Sequence, residues 1–255
     1  MNFFLDLNDR RLPFVQNKLK GLEYKTLNFN NENLAKIKQG DFVVLSPAYK
    51  WTIEMAQRLP KNISIICGAT SIDIQQIFDA KNIKYYNLME DEDFILQNAK
   101  LTAEGTLADL IFYTKKSIFE CNILILGSGR CAKALAYLLY KLGVKFDLTM
   151  RDQYKLKQSQ LLCNKAVGWS NFKNALKNYD VIINTIPTKL FEEEDLPKFK
   201  EGSVVLELAS KQCLQDLRSQ KFSYILCPAL PSKYTPQSAG NLIFDYIDKM
   251  LKGDN

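Results

Sequence analysis

Residues 122–132 read NILILGSGRCA, an aliphatic run that enters a tight glycine turn and continues into a helix. The unbroken apolar stretch Ile123 to Leu126 is the pattern of a parallel strand buried on both faces. Gly127, Gly129 and Ala132 follow in G-x-G-x-x-A spacing. In such a turn the first glycine permits the sharp reversal and the second lets the backbone approach a pyrophosphate. The small third residue lets the helix pack on its strand. The free N–H groups at the helix start then hold phosphate, so the stretch predicts a dinucleotide at Gly127, Ser128, Gly129 and Arg130. A helix from Arg130 to Leu142 stops at Gly143, and a second strand, Lys145 to Met150, follows at βαβ distance.

That second strand ends Thr149-Met150-Arg151-Asp152. A carboxylate at this place suits the ribose hydroxyls of NAD, whereas an arginine suits the 2′-phosphate of NADP. Arg151 can bind phosphate bidentately and stack on adenine, which makes NADP the first expectation. Asp152 keeps NAD open, and a solvated charge pair in a loop is the plain structural alternative.

At 255 residues, with 47% hydrophobic and 24% charged residues, the chain fits two modest soluble domains better than one. No segment approaches the ~20 apolar residues of a membrane span. The start MNFFLDLNDRR lacks the basic opening of a signal peptide, so a cytoplasmic location is expected. The net charge of +6 comes from scattered lysines without a basic, aromatic-interleaved stripe, which argues against nucleic acid as a partner. The six cysteines form no C-x-x-C pair and read as reduced, buried thiols; Cys131, inside the turn, reads as a small packing residue. The absence of histidine removes imidazole bases, Ser-His-Asp triads, histidine-ligated metals and lactate-type dehydrogenase chemistry; no metal site is expected.

The first hundred residues alternate strand and helix. Strands are expected at Phe3–Leu7, Tyr24–Leu27, Phe42–Leu45, Ile63–Cys67 and Lys84–Asn87, with helices at Pro13–Lys20, Trp51–Leu59 and Ser71–Ala80. The acidic run Glu90 to Asp93 opens a surface turn or short helix. A connector helix capped by Thr102 is expected over 102–118. Later strands are Val181–Thr185, Ser203–Leu208 and Tyr224–Cys227, and an amphipathic helix runs from about Gln237 to Leu251. The expected architecture is two α/β domains with a cleft between them, the C-terminal one a doubly wound parallel sheet of Rossmann type. The boundaries are 1–100 for a substrate domain, 101–236 for the dinucleotide domain and 237–255 for a helix returning toward the first. Ligands of such sheets lie beyond the strand carboxyl ends, so Thr185, Ile186, Pro187 and Ala209, with Ser210, are candidate neighbours of the nicotinamide; simple strand termination is the alternative.

Taken in order, EDEDFILQNAKLTAEGT (90–106), ILGSGR (125–130), INTIP (183–187), LELAS (206–210) and PALPSKYTPQSAG (228–240) resemble the A subunit of dipicolinate synthase. The match runs from about Glu90 to the C-terminus; earlier residues agree in rhythm more than in letters. The resemblance implies an NADP-dependent dehydrogenase that oxidises a dihydrodipicolinate-type cyclic imine to the aromatic dicarboxylate, in a branch of lysine biosynthesis. It also implies a second, flavoprotein-like partner chain, and a homo-oligomer is compatible with it. Carried over segment by segment, Asn98, Thr102, Gly105 and Thr106 would bind the small dicarboxylate substrate, and Glu104 would be its base or, alternatively, a helix-start carboxylate. Ser46, Lys50, Thr70, Ser71 and Lys233 are further partners for a dicarboxylate, and spacing does not choose among them. The turn Leu7-Asn8-Asp9-Arg10 departs from the family's glycine-containing one.

Two rivals remain. Shikimate dehydrogenase has a similar cofactor domain, and Ser46-Pro47 resembles its substrate serine, but the N-V-T-x-P-x-K segment with its lysine is missing. The other is a non-catalytic NADP-binding subunit that works only with a partner.

Overall fold

The computed structural model describes residues 1–253, so the last two residues of the expected 237–255 segment lie outside the described residues. The chain divides into two compact units, one of residues 1–98 with the chain from Pro231 on, the other Ala99–Leu230.

The first unit is built on β1 (Asn2–Leu5), β2 (Lys25–Asn28), β3 (Phe42–Val44), β4 (Ser64–Cys67) and β5 (Lys84–Asn87), all parallel, in the order β2-β1-β3-β4-β5. Its helices are α1 (Leu12–Gly21), α2 (Ile53–Arg58) and α3 (Ile72–Ala80). Thr52 and Ser71 cap α2 and α3 by accepting the Met55 and Ile74 N–H groups. A core of Phe3, Leu5, Leu12, Val15 and Leu19 is completed by Ile243 and Ile247 of the chain's final helix, α9 (Pro236–Lys252). A Cβ on Gly240 would meet the Arg11 carbonyl oxygen at 2.5 Å, so glycine is what permits the close approach of α9 to the start of α1.

Between α3 and the second sheet runs α4 (Glu92–Thr114), one helix of 23 residues. This corrects the expected break between the acidic run and a helix beginning at Thr102. The cap is Asp91, whose carboxylate accepts the Phe94 N–H at 2.6 Å while its carbonyl accepts that of Ile95 at 3.0 Å. Nothing from Phe94 to Leu101 breaks the helix, and Gly105 costs it only about 1 kcal/mol.

The second unit carries β6 (Ile123–Leu126), α5 (Arg130–Lys141), β7 (Phe146–Met150), α6 (Gln153–Ser159), β8 (Lys165–Gly168) and α7 (Phe172–Ala175). After them come β9 (Val181–Asn184), β10 (Ser203–Glu207) and β11 (Phe222–Leu226); Leu230 closes the unit and opens α8 (Leu230–Tyr234), whose other residues belong to the first unit. Its six parallel strands are ordered β11-β10-β9-β6-β7-β8, the doubly wound arrangement in which connections change side between β6 and β9. β6, β9 and β10 are buried along their whole length, which explains their aliphatic composition. Sequence periodicity does not reveal α6 and β8, because both are short and mixed in polarity. No described helix is long and apolar enough to cross a membrane.

Candidate functional site

Leu126, Thr149, Asn184 and Glu207 stand level with one another across β6, β7, β9 and β10, and the chain turns beyond each of them form the carboxyl edge of the second sheet. Gly127 leaves β6 with φ +119°, a backbone region that side chains avoid. A Cβ there would lie 2.3 Å from Thr185 Oγ1 and 3.1 Å from Ile186 Cγ1. Thr185 is fixed in that place because both its N–H and its hydroxyl donate to the Leu126 carbonyl, at 3.1 and 2.7 Å. Gly127 therefore answers to the fold.

Gly129 does not. Its backbone is ordinary, with φ −72° and ψ −176°, and a Cβ on it would have no heavy atom within 4 Å beyond its own chain neighbours. It is the N-cap of α5, yet it brings no capping side chain, and no acid occupies the first turn. By contrast α2, α3 and α6 are each capped by a side-chain oxygen. The residue choice leaves open space beside a helix start that no N-cap side chain covers, which is what a phosphate-bearing cofactor requires. Ala132, at 1% exposure, packs into the core beneath with Leu135 and Ala136. Ser128 is half-buried and Arg130 exposed. Burial pushes the Cys131 thiol up, away from the reactive thiolate form.

At the end of β7 the Arg151 guanidinium stacks over the Trp169 ring, 5.2 Å from its centroid. Asp152 is engaged elsewhere: its carboxylate caps α6 by accepting the Tyr154 and Lys155 N–H groups at 3.0 and 3.1 Å, and it pairs with Lys155 Nζ at 3.4 Å. These contacts, led by the Lys155 N–H, hold the Asp152 carboxyl below its usual range. A groove of about 410 Å³ between α5 and α6 is lined by Gly127, Ala132, Leu148 and Met150 together with Lys133 and Lys155. Sequence reasoning does not reach Trp169 and Lys155; both sit in the α6–β8 stretch that periodicity leaves unresolved.

On the other side of the β6–β9 switch, Asn184 is fully buried and Glu207 is 2% exposed. Asn184 accepts the Ile186 N–H at 3.0 Å and donates to the Ile186 carbonyl at 3.0 Å, which shapes the turn ahead of Pro187. Glu207 accepts from Asn184 Nδ2 at 2.7 Å and from the Ala209 N–H at 3.0 Å. Its other oxygen accepts from the Cys213 N–H at 2.7 Å and the Tyr224 hydroxyl at 2.8 Å. A sequence signal for this pair exists: VIIN and SVVLE each end an aliphatic strand with a polar residue, which burial tolerates only when hydrogen-bonded.

Of the residues expected on the substrate side, Asn98, Thr102, Gly105 and Thr106 follow one another along one face of α4, within about 100° of helical arc. Asp109, 1% exposed, lies on that face too. The Thr106 hydroxyl donates to the Thr102 carbonyl at 2.8 Å. Thr102 is mid-helix and not a cap, and Glu104 is likewise mid-helix rather than at a helix mouth. Glu104 is exposed and projects roughly 200° around the helix from Thr102.

In the first unit a separate polar cluster occupies the carboxyl ends of β1 and β3. Asp9 accepts from Arg11 Nε and Nη2 at 2.8 and 2.7 Å, Arg11 Nη2 also donates to Ser46 Oγ at 2.7 Å, and Ser232 Oγ lies 3.4 Å from Asp9. Burial raises the Asp9 carboxyl, but Arg11 outweighs it and the net shift is downward. Ser46 is thus held inside this network, and Ser71 is a helix cap. Among the described residues no group of three or more metal-ligating side chains occurs.

The fold is one of two α/β units with parallel sheets, the second doubly wound, an arrangement shared with solved dehydrogenase structures. Comparison narrows it to a resemblance with the A subunit of dipicolinate synthase. The chain is 25% identical to that protein of Bacillus subtilis over 197 residues, covering 76% of this chain and 66% of the relative, just under two thirds of its length. The crystal structure of the dipicolinate synthase A subunit from Bacillus halodurans superposes with a TM-score of 0.81 at 20% identity, covering 98% of both chains. A shikimate dehydrogenase (NADP+) of Methanococcus maripaludis is 26% identical over 206 residues, 74% of this chain and 68% of that one. No protein-family model matches the chain.

Proposed function

We propose that this chain is an NADP-dependent oxidoreductase of the same kind as the dipicolinate synthase A subunit, acting in the cytoplasm. Its reaction is the oxidation of dihydrodipicolinate, or a related cyclic imine dicarboxylate, to the aromatic pyridine dicarboxylate. The observation that carries the cofactor reading is the open, uncapped start of α5 at Gly129, a cradle that no neighbouring chain atom fills. When bound there, NADP supplies the acceptor for a hydride leaving the substrate ring. The backbone N–H groups from Ser128 to the first turn of α5 hold the pyrophosphate, with Arg130 beside them. Arg151 takes the 2′-phosphate; the engagement of Asp152 as the cap of α6 supports this reading over a carboxylate contact to the ribose hydroxyls of NAD. Thr185, Ile186, Pro187 and Ala209 meet the nicotinamide half.

Asn98, Thr102, Gly105 and Thr106 present the substrate face of α4. Orientation carries much of the catalysis, because aromatisation drives the oxidation and the chain has no imidazole to act as base. A flavoprotein-like partner chain belongs to the proposal, since the relatives are named as one lettered subunit of a synthase.

The test is NADPH binding by the purified chain, followed by NADP+-dependent oxidation of dihydrodipicolinate with and without that partner. Binding without turnover in either case overturns the synthase reading and leaves a non-catalytic NADP-binding protein. The similarity to shikimate dehydrogenase supports a second reading, and NADP+-dependent oxidation of shikimate by the chain alone would establish it in place of the first.

A further inference from the structure

We propose that Glu207 is a positioning residue for the nicotinamide half of the dinucleotide, an inference that rests on the cofactor site proposed above. The phosphates lie over β6 and the 2′-phosphate beside β7, so the remainder of the molecule extends across the switch over the ends of β9 and β10. The two turns that meet it there, 185–187 and 208–210, are joined by one buried carboxylate. Asn184 and Glu207 are direct neighbours in the β9–β10 register. From Ile186 the connection runs through both hydrogen bonds of Asn184 to one Glu207 oxygen, which also holds the Ala209 N–H. The second oxygen holds the Cys213 N–H and the Tyr224 hydroxyl. Burial, Cys213 and Glu207 push the Tyr224 phenol up, so it remains a donor.

A buried carboxyl group among aliphatic strands is retained only when its oxygens are hydrogen-bonded, and here four donors converge on it. The neutral isostere cannot reproduce this. Glutamine has one acceptor oxygen and would turn an NH2 group toward one of the two donor pairs. Asn184 cannot reverse its amide without losing both bonds to Ile186, and the Cys213 N–H is backbone. Only the Tyr224 hydroxyl can turn to accept. Glu207→Gln therefore keeps the side-chain volume and three of the contacts, but releases the Cys213 N–H, which anchors the far end of the segment that begins with the 208–210 turn.

The test measures two probes on the full chain: NADPH, and adenosine 2′,5′-bisphosphate, which carries the adenine half alone. For Glu207→Gln the NADPH dissociation constant is expected to rise about tenfold, the order of one lost buried hydrogen bond. The bisphosphate constant should stay within about twofold, the effect of a change outside its contacts. Equal weakening of both probes, or no change in either, overturns the inference. Tyr224→Phe, which removes one donor and leaves the carboxylate, should shift NADPH alone in the same direction by a smaller factor. If Glu207→Gln does not fold, an unchanged NADPH affinity in Tyr224→Phe overturns the inference. A wild-type chain that binds neither probe overturns the cofactor site itself, and this inference falls with it.

Discussion

Replacing the two glycines of the 127–132 turn by alanine, one at a time, separates a demand of the fold from a demand of the ligand. At Gly127 an alanine must hold φ +119°, a strain of about 1–3 kcal/mol. Its Cβ would also displace Thr185 Oγ1, 2.3 Å away, from the Leu126 carbonyl, a further loss of about 0.5–1.5 kcal/mol. Together Gly127→Ala is expected to destabilise the second unit by about 2–4 kcal/mol, or roughly 5–15 °C in melting temperature. Gly129→Ala meets no atom within 4 Å in an ordinary backbone conformation, and its cost as an N-cap is only about 0.5–1 kcal/mol. Yet its methyl group enters the space assigned to the pyrophosphate, so NADPH affinity should fall at least about tenfold, the equivalent of one displaced phosphate contact. Thermal melts followed by circular dichroism and a fluorescence titration with NADPH measure the two effects. A Gly129→Ala chain that binds NADPH like wild type refutes the placement of phosphate at the start of α5.

Arg151→Ala should weaken NADPH by about 10- to 100-fold and leave NADH unchanged, as expected for loss of a charged contact to the 2′-phosphate; equal effects on both would remove Arg151 from that role. Glu104 faces away from Asn98 and Thr102, so Glu104→Gln should leave dihydrodipicolinate turnover within about twofold of wild type, as for other exposed changes, and a large loss would restore it as the base. Burial raises the Asp195 carboxyl, but Lys173, Lys198 and the Glu192 N–H outweigh burial and pull it to about 2 from 3.8. Its stabilisation, about 2 kcal/mol, is complete above the unfolded value and disappears as the pH falls through the folded one. Melting temperatures of wild type and Asp195→Asn should therefore differ at pH 6 and draw together as pH falls toward 2, and a gap as wide at pH 2 as at pH 6 contradicts this.

The second sheet is readable from sequence because its strands are aliphatic runs closed by turns, and because the glycine turn has few structural meanings. The motif spacing separates a turn-making Gly127 from a phosphate-facing Gly129, but the letters do not show what either one touches. Only coordinates show that one is required by Thr185 and the other by nothing in the chain. The start of α4 misleads because Thr102 is a good cap wherever a helix begins, and nothing local shows that this one has already begun at Asp91. Trp169 and Lys155 carry no signal of their own, since their role depends on where β8 and α6 bring them relative to Arg151. Within LELAS the letters favour Ala209 over Glu207, because the four donors of Glu207 come from four separate places along the chain.

The double engagement of Asp152 bears on how the proposed coenzyme preference could be changed. An engineer seeking a variant that runs on the unphosphorylated form would remove Arg151 and rely on the neighbouring acid for the ribose. That acid already ends the backbone of α6, and drawing it toward a sugar would unfasten the first turn of the helix that carries Lys155. A change of preference at this position therefore requires a new cap as well as a lost cation, two coordinated substitutions where one looks sufficient.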